Sequence, residues 1–230
     1  MTGPIKDVTI TSNNKKWEII MRILTKILTL LSVLFIYQTA AAQEDTSLSF
    51  FITSKGSGDG ANLGGLSGAD MICQMRGVAV GQGGKYWKAY LSTIGEGGVN
   101  AKDRIGAGPW YNSKGVMVAE NVADLHSDNN KLSKENSLTE TGMVVNGRGD
   151  EPNMHDIITG TNLDGTAGDS TCMNWTSNAE TGGANAGHHD RQGGGANPTS
   201  WNAAHSTRGC SQPNLVATGG NGYFYCFAAN

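Results

Sequence analysis

The sequence predicts an α+β domain with one main helix, short and mostly antiparallel strands, and long loops. Three observations predict it. One helix-entry signature stands at Gly64–Cys73. Several short apolar runs with strand-like alternation lie around it, separated by turn residues. Glycine supplies 33 of the 230 residues, more than a chain built mainly of regular elements would carry.

At the helix entry, Ser67 offers a cap, and Asp70 completes a capping box with Asp in place of Glu. Leu66 and Met71 take the positions of a hydrophobic staple. Asp70 also puts negative charge in the first turn, where the helix dipole favours it. The helix is expected over 68–80, with Gly77 weakening its interior and Gly81 as its stop.

Strands are expected at 50–53, at 86–92 (Trp87, Ala89 and Leu91 on one face), and at 110–112 and 116–119 around Ser113-Lys114-Gly115. Further strands are expected at 143–145, 157–159 and 223–227. Residues 101–105 read as one helical turn, 124–140 as polar loop or short helix, and 163–166 as a turn. Residues 177–209 are dominated by Gly, Asn, Ala and His and read as a long loop, with Trp201 its single large apolar residue.

Residues 1–42 read as a secretory signal peptide: basic residues after Met21, an apolar run Ile27–Ile36, and Ala40-Ala41-Ala42 before the cleavage point. Met21 is a second candidate start. The apolar run is too short for a membrane span, so no transmembrane anchor is expected in the mature chain. Residues 43–49 form a lead-in, and 50–230 one domain. Residues 43–230 carry twelve basic and eighteen acidic side chains. That balance argues against nucleic acid and anionic membranes as partners. All four cysteines (Cys73, Cys172, Cys210, Cys226) follow the leader. They predict two disulfides in a secreted, extracellular or periplasmic protein, and spacing alone leaves the three possible pairings open.

The context of these cysteines resembles the endostatin domain. GGLSGADMICQMRGVAVGQGGKYWKAYLSTIG resembles its helix-and-strand opening. ITGTNLDGTAGDSTCMNWTSNAETGG is similar to its second signature, a turn with Gly followed by Cys-x-x-Trp. Cys210 and the closing YFYCF match its end, while 106–157 matches poorly. The chain is thereby similar to bacterial exported endostatin-like domains of largely unknown function. The resemblance implies a C-type-lectin-like (endostatin-like) fold over 50–230 and nested disulfides, Cys73–Cys226 and Cys172–Cys210. It does not carry over endostatin's heparin-binding arginines, which lack a counterpart here. Its zinc-binding N-terminal histidines are missing too, because QEDTSLSF holds no His.

Several constellations bear on chemistry. Glu151-Pro152-Asn153 spells the sugar-coordinating tripeptide of calcium-dependent lectins, but it lies far before Cys172, and Trp201-Asn202 continues into Ala203. A surface turn is expected there. Arg148-Gly149-Asp150 spells an integrin-binding tripeptide and is read as chance. His188, His189, Asp190 and His205 suit zinc or copper. Adjacent histidines point apart in an extended chain, so a polar loop is the simpler expectation. Asn162, Asp164 and Asp169 around Gly165 offer oxygens to calcium without EF-hand spacing, and a turn is expected. Asn174-Trp175-Thr176 is a glycosylation sequon, and Trp175 is expected in the core. Gly-x-Ser-x-Gly, HExxH and phosphate-loop motifs are missing, so no catalytic residue is assigned.

The expected function is a non-enzymatic recognition or adhesion module that binds glycan or extracellular protein. Its ligand face is expected on the 177–209 loop, at Asn178, His188, His189, Asp190, Asn197 and Trp201, whose indole either stacks on a sugar, anchors a protein partner or plugs the loop onto the core. No cofactor is expected; calcium or zinc are the ions these donors would suit. The alternatives are a metal-dependent enzyme using the histidines of 177–209, and a purely structural surface protein.

Overall fold

The computed structural model describes Gly3, Ile10–Tyr37 and residues 45–229. The chain divides into two compact units, Met1–Asp45 and Thr46–Asn230. The first contains helix α1 (Ile10–Tyr37). The cleavage point after Ala42 lies outside the described residues. No described helix is long and apolar enough to cross a membrane.

The second unit is mixed α+β. Its elements are β1 (Phe50–Ile52), α2 (Gly65–Ala79), β2 (Trp87–Ala89), β3 (Trp110–Tyr111), β4 (Met117–Ala119), α3 (Val122–Leu125), β5 (Asp156–Ile158), the single turn α4 (Cys172–Trp175), β6 (Asn185–His188), β7 (His205–Ser206), α5 (Gln212–Thr218) and β8 (Tyr225–Ala228). They pair into three small sheets, ordered β1-β8-β2, β3-β4 and β5-β6-β7, with antiparallel ladders throughout.

The β8 strand is apolar because both faces of its sheet are buried. Alternation sends Tyr225 and Phe227 to one core cluster, with Phe50, Tyr90, Trp110 and Trp201. Cys226 and Ala228 go to the other, with Phe51, Trp87 and Trp175. Cys226 pairs in register with Phe51 on one side and Ala89 on the other. From there it reaches across to α2 in the Cys73–Cys226 disulfide, while Cys172–Cys210 closes the shorter loop inside it. This nesting is the pairing the resemblance implies.

Helix α2 starts earlier than the capping box predicts. Gly64, at φ 76°, turns the chain, and no side chain caps the helix. Ser67 is exposed. Met71 is exposed too, so the Leu66–Met71 staple does not form. Asp70 instead accepts from the Ala89 N–H (3.0 Å), Lys88 Nζ (2.9 Å) and Arg104 Nη2 (2.6 Å), which fastens the helix to β2. Gly77 has a packing reason to be in a helix: a Cβ there would lie 2.1 Å from the Trp87 Nε1, so only glycine lets the indole lie against the backbone.

Turn α4 winds left-handed. Cys172, Met173, Asn174 and Trp175 all have φ between 47° and 68°. L residues adopt this at a cost of roughly 1–2 kcal/mol each. Three anchors hold it: the disulfide, the buried Trp175 with its Nε1 donating to Ser92 O at 2.8 Å, and the Asn174 amide, which both donates to and accepts from Ile94. Trp175 is core, as the sequence suggests.

Three differences from the sequence reading matter. Residues 143–145 form no strand beyond a bridge from Val144 to Leu138. Residues 212–218 are the helix α5, capped by Ser211 with Pro213 in its first turn. The 177–209 stretch contains β6 and β7, which build the site described next.

Candidate functional site

Register in the β5-β6-β7 sheet gathers the site. Asp156 stands opposite His188, and His205 stands opposite Ala186. Residues 186 and 188 share a face, so Asp156, His188 and His205 project to one side. His155, just before β5, joins them. Its ring stacks on that of His188, with centroids 4.3 Å apart and planes 6° from parallel.

Asp156 Oδ1 is the hub. It lies 3.3 Å from His155 Nε2, 3.3 Å from His188 Nε2 and 3.6 Å from His205 Nε2. The Nε2 atoms of His188 and His205 are 2.9 Å apart. Neither Asp156 oxygen has a hydrogen-bond partner, although the side chain is buried. Its contacts to the rings are ion-pair contacts outside hydrogen-bond geometry. His205 alone of the three rings meets solvent appreciably.

Each ring is oriented from behind. His188 Nδ1 faces Pro198 O at 2.8 Å, His155 Nδ1 faces Gln192 O at 3.1 Å and Asp190 Oδ1 at 3.4 Å, and His205 Nδ1 faces Ser206 O at 3.2 Å. These acceptors place a ring proton on Nδ1, so the hydrogen bond between the His188 and His205 Nε2 atoms needs a second proton on one of the two rings. Gly193 leaves room for the His188 ring, since a Cβ there would lie 2.2 Å from its Cε1. Burial opposes charging His188, but the Asp156 carboxylate and Pro198 carbonyl outweigh it and raise its pKa. Burial likewise opposes ionising Asp190. The contacts from His155 and from the Arg148 and Gln192 N–H groups prevail and hold its carboxyl well below the usual range.

His205 also lines an open cleft of about 560 Å³. The cleft is walled by amides, hydroxyls and a carboxylate from Asn162, Asp164, Thr166, Asn185, Asn197 and Ser206. Leu163 adds an exposed apolar edge.

The residues picked from the sequence part company here. His188 and His205 meet, with Asp190 behind His155. His189 points the other way as a neighbour on an extended chain must, toward Asn146 O at 3.1 Å, and burial lowers its pKa. His188, His189 and Asp190 are buried and so form no ligand face. Trp201 is buried as well: it packs on Tyr90 and Tyr225, and its Nε1 donates to Leu125 O, so the indole cannot stack on a ligand. Asn178 is exposed, holds Asp59 and lies outside the cleft lining. Asn197 lines the cleft. Asp164 lines it too, tied to the Thr166 N–H and hydroxyl in a tight turn, whereas Asp169 lines a separate hollow beside Cys172 and Cys210. Sequence reasoning missed His155 and Asp156. Their signal is a His-Asp pair entering the apolar run Ile157-Ile158.

Two tripeptides are occupied structurally. Asp150 pairs with Lys134 and takes the Gly147 N–H, and Asn153 Oδ1 accepts from the His155 N–H. No protein-family model and no curated protein sequence matches this chain.

Proposed function

We propose that residues 46–230 are an exported, endostatin-like (C-type-lectin-like) recognition module. Its cleft over His205 takes a polyhydroxylated ligand, a glycan of a cell surface or matrix. The observation that supports this is the chemistry of the cleft wall. Asn162, Asn185 and Asn197 line it with amides, Thr166 and Ser206 with hydroxyls, and Asp164 with a carboxylate, and internal hydrogen bonds such as Thr166 to Asp164 and Asn197 to Ala203 O hold these groups in place. Vicinal hydroxyls are bound by such groups. Two disulfides suit an oxidising, extracellular or periplasmic setting.

The test is a glycan and matrix-protein array probed with the full chain and with Ala196→Trp. That substitution puts a large ring at an exposed position of the cleft wall. The reading expects discrete glycan hits that Ala196→Trp abolishes while the fold survives. Hits that persist in Ala196→Trp would move the ligand elsewhere. Silence across the array would favour a purely structural role.

A further inference from the structure

The three rings around Asp156 Oδ1 and the carboxylate itself are short of protons for one another. Three imidazoles have Nδ1 committed to acceptors, and a carboxylate has no proton to give, so the hydrogen bond between the His188 and His205 Nε2 atoms requires an added proton on one of them. Acceptors that converge at 2.9–3.6 Å hold either an added proton or a metal ion among them. The spacing suits a metal. With bonds of about 2.0–2.1 Å, tetrahedral ligand atoms lie roughly 3.3–3.4 Å apart.

We propose that His155, Asp156 and His188, whose ligand atoms all lie within 4.8 Å of one another, bind one zinc ion, with His205 Nε2, beside Asp156 and His188, moving in as the fourth donor. Three nitrogens and one oxygen are a borderline donor set that suits zinc, whereas calcium asks for six to eight oxygens. The contacts to Nδ1 are the outer partners that fix ligand rings in metal sites, and the Asp190–His155 contact is a carboxylate–histidine pair of that kind. Four protein donors fill a tetrahedral shell, so the centre is structural rather than catalytic. It ties β5, β6 and β7 together behind the cleft, and His205, open to the cleft, gives the ion its way in. The inference rests on the cluster alone and stands whether or not the cleft binds a glycan.

The experiment uses the purified full chain with both disulfides intact, dialysed against metal-free buffer. Its metal content is measured, and Zn²⁺ is titrated in competition with a chromophoric chelator. One zinc per chain is expected, and Co²⁺ in its place should give the visible bands of tetrahedral coordination. Asp190→Asn should weaken zinc about 10–100-fold, as loss of an outer partner does. His205→Gln and Asp156→Asn should each weaken it by more than roughly 100-fold, and Asp164→Asn should not change it. His205 is partly exposed, so its variant keeps the test open if Asp156→Asn fails to fold. The cobalt spectrum of the unaltered chain needs no variant. Three results would overturn the proposal: no zinc retained, meaning that the cluster holds only a proton; an octahedral cobalt spectrum; or undiminished zinc affinity in His205→Gln.

Discussion

Asp156 faces His188 directly across the β5–β6 ladder, with Oδ1 3.3 Å from Nε2. That one cross-strand pair sets the register of the sheet beneath the cleft. A slip of one residue would put the two side chains on opposite faces. The polar cluster and the apolar alternation of Ile157 and Ile158 therefore specify the same pairing.

Asp70 does the work that the sequence assigns to a helix cap, but between elements. Replacing it with Ala strands the half-buried Arg104 and the Ala89 N–H. The expected loss is about 2–4 kcal/mol in denaturant unfolding. Ser67→Ala, at an exposed position with no capping role, should stay within about 0.5 kcal/mol of the unaltered chain.

Met173 carries left-handed backbone strain with an exposed side chain. Met173→Gly should leave stability unchanged or raise it by up to about 1 kcal/mol. Met173→Val, β-branched at the same φ, should lower the thermal midpoint. Equal effects of the two would contradict the strain.

The bridges close loops of 153 and 38 residues. In the chain-entropy model, these contribute about 5 and about 4 kcal/mol. Replacing Cys73 and Cys226 together with Ala should therefore cost more than replacing Cys172 and Cys210 together, as read by urea unfolding.

Stability should also fall in mild acid through His126. Burial, the main cause, depresses its pKa; Lys102 adds to this, while the Val122 carbonyl and Asp164 oppose it. Its Nε2 accepts from the Tyr90 hydroxyl at 2.7 Å, a bond that only the neutral ring can accept. A depressed folded value means that folding excludes the proton. The contribution is present above the unfolded value of about 6.5 and is lost as pH drops below it. His126→Gln should flatten the loss of stability between about pH 7 and 5. An unchanged slope would remove His126 from the account.

Much of the frame was legible in the sequence. The closing strand shows in its unbroken apolar run Tyr223–Phe227, because both faces of β8 are buried. Helix α2 shows in its Gly-rich entry, although its start was misplaced because the Asp70 side chain prefers Arg104 and Lys88 to the helix N-terminus. Strand β6 was hidden. Asn185-Ala186-Gly187-His188 has little strand propensity, and pairing with β5 imposes its extended backbone. The same pairing brings His155 and Asp156 to His188, a meeting that no local spacing could announce. Trp201 stays open in the sequence between core plug and ligand contact, because a lone indole in a polar stretch looks the same in either role; the structure makes it the plug.

The most direct test of the recognition reading is a backbone amide chemical-shift map of the isotope-labelled chain, titrated with a glycan that scores on the array. The account predicts perturbations centred on Asn162, Leu163, Asp164, Asn197 and Ser206. Perturbations centred instead on the exposed α2 stripe of Met71, Met75 and Val78 would contradict it.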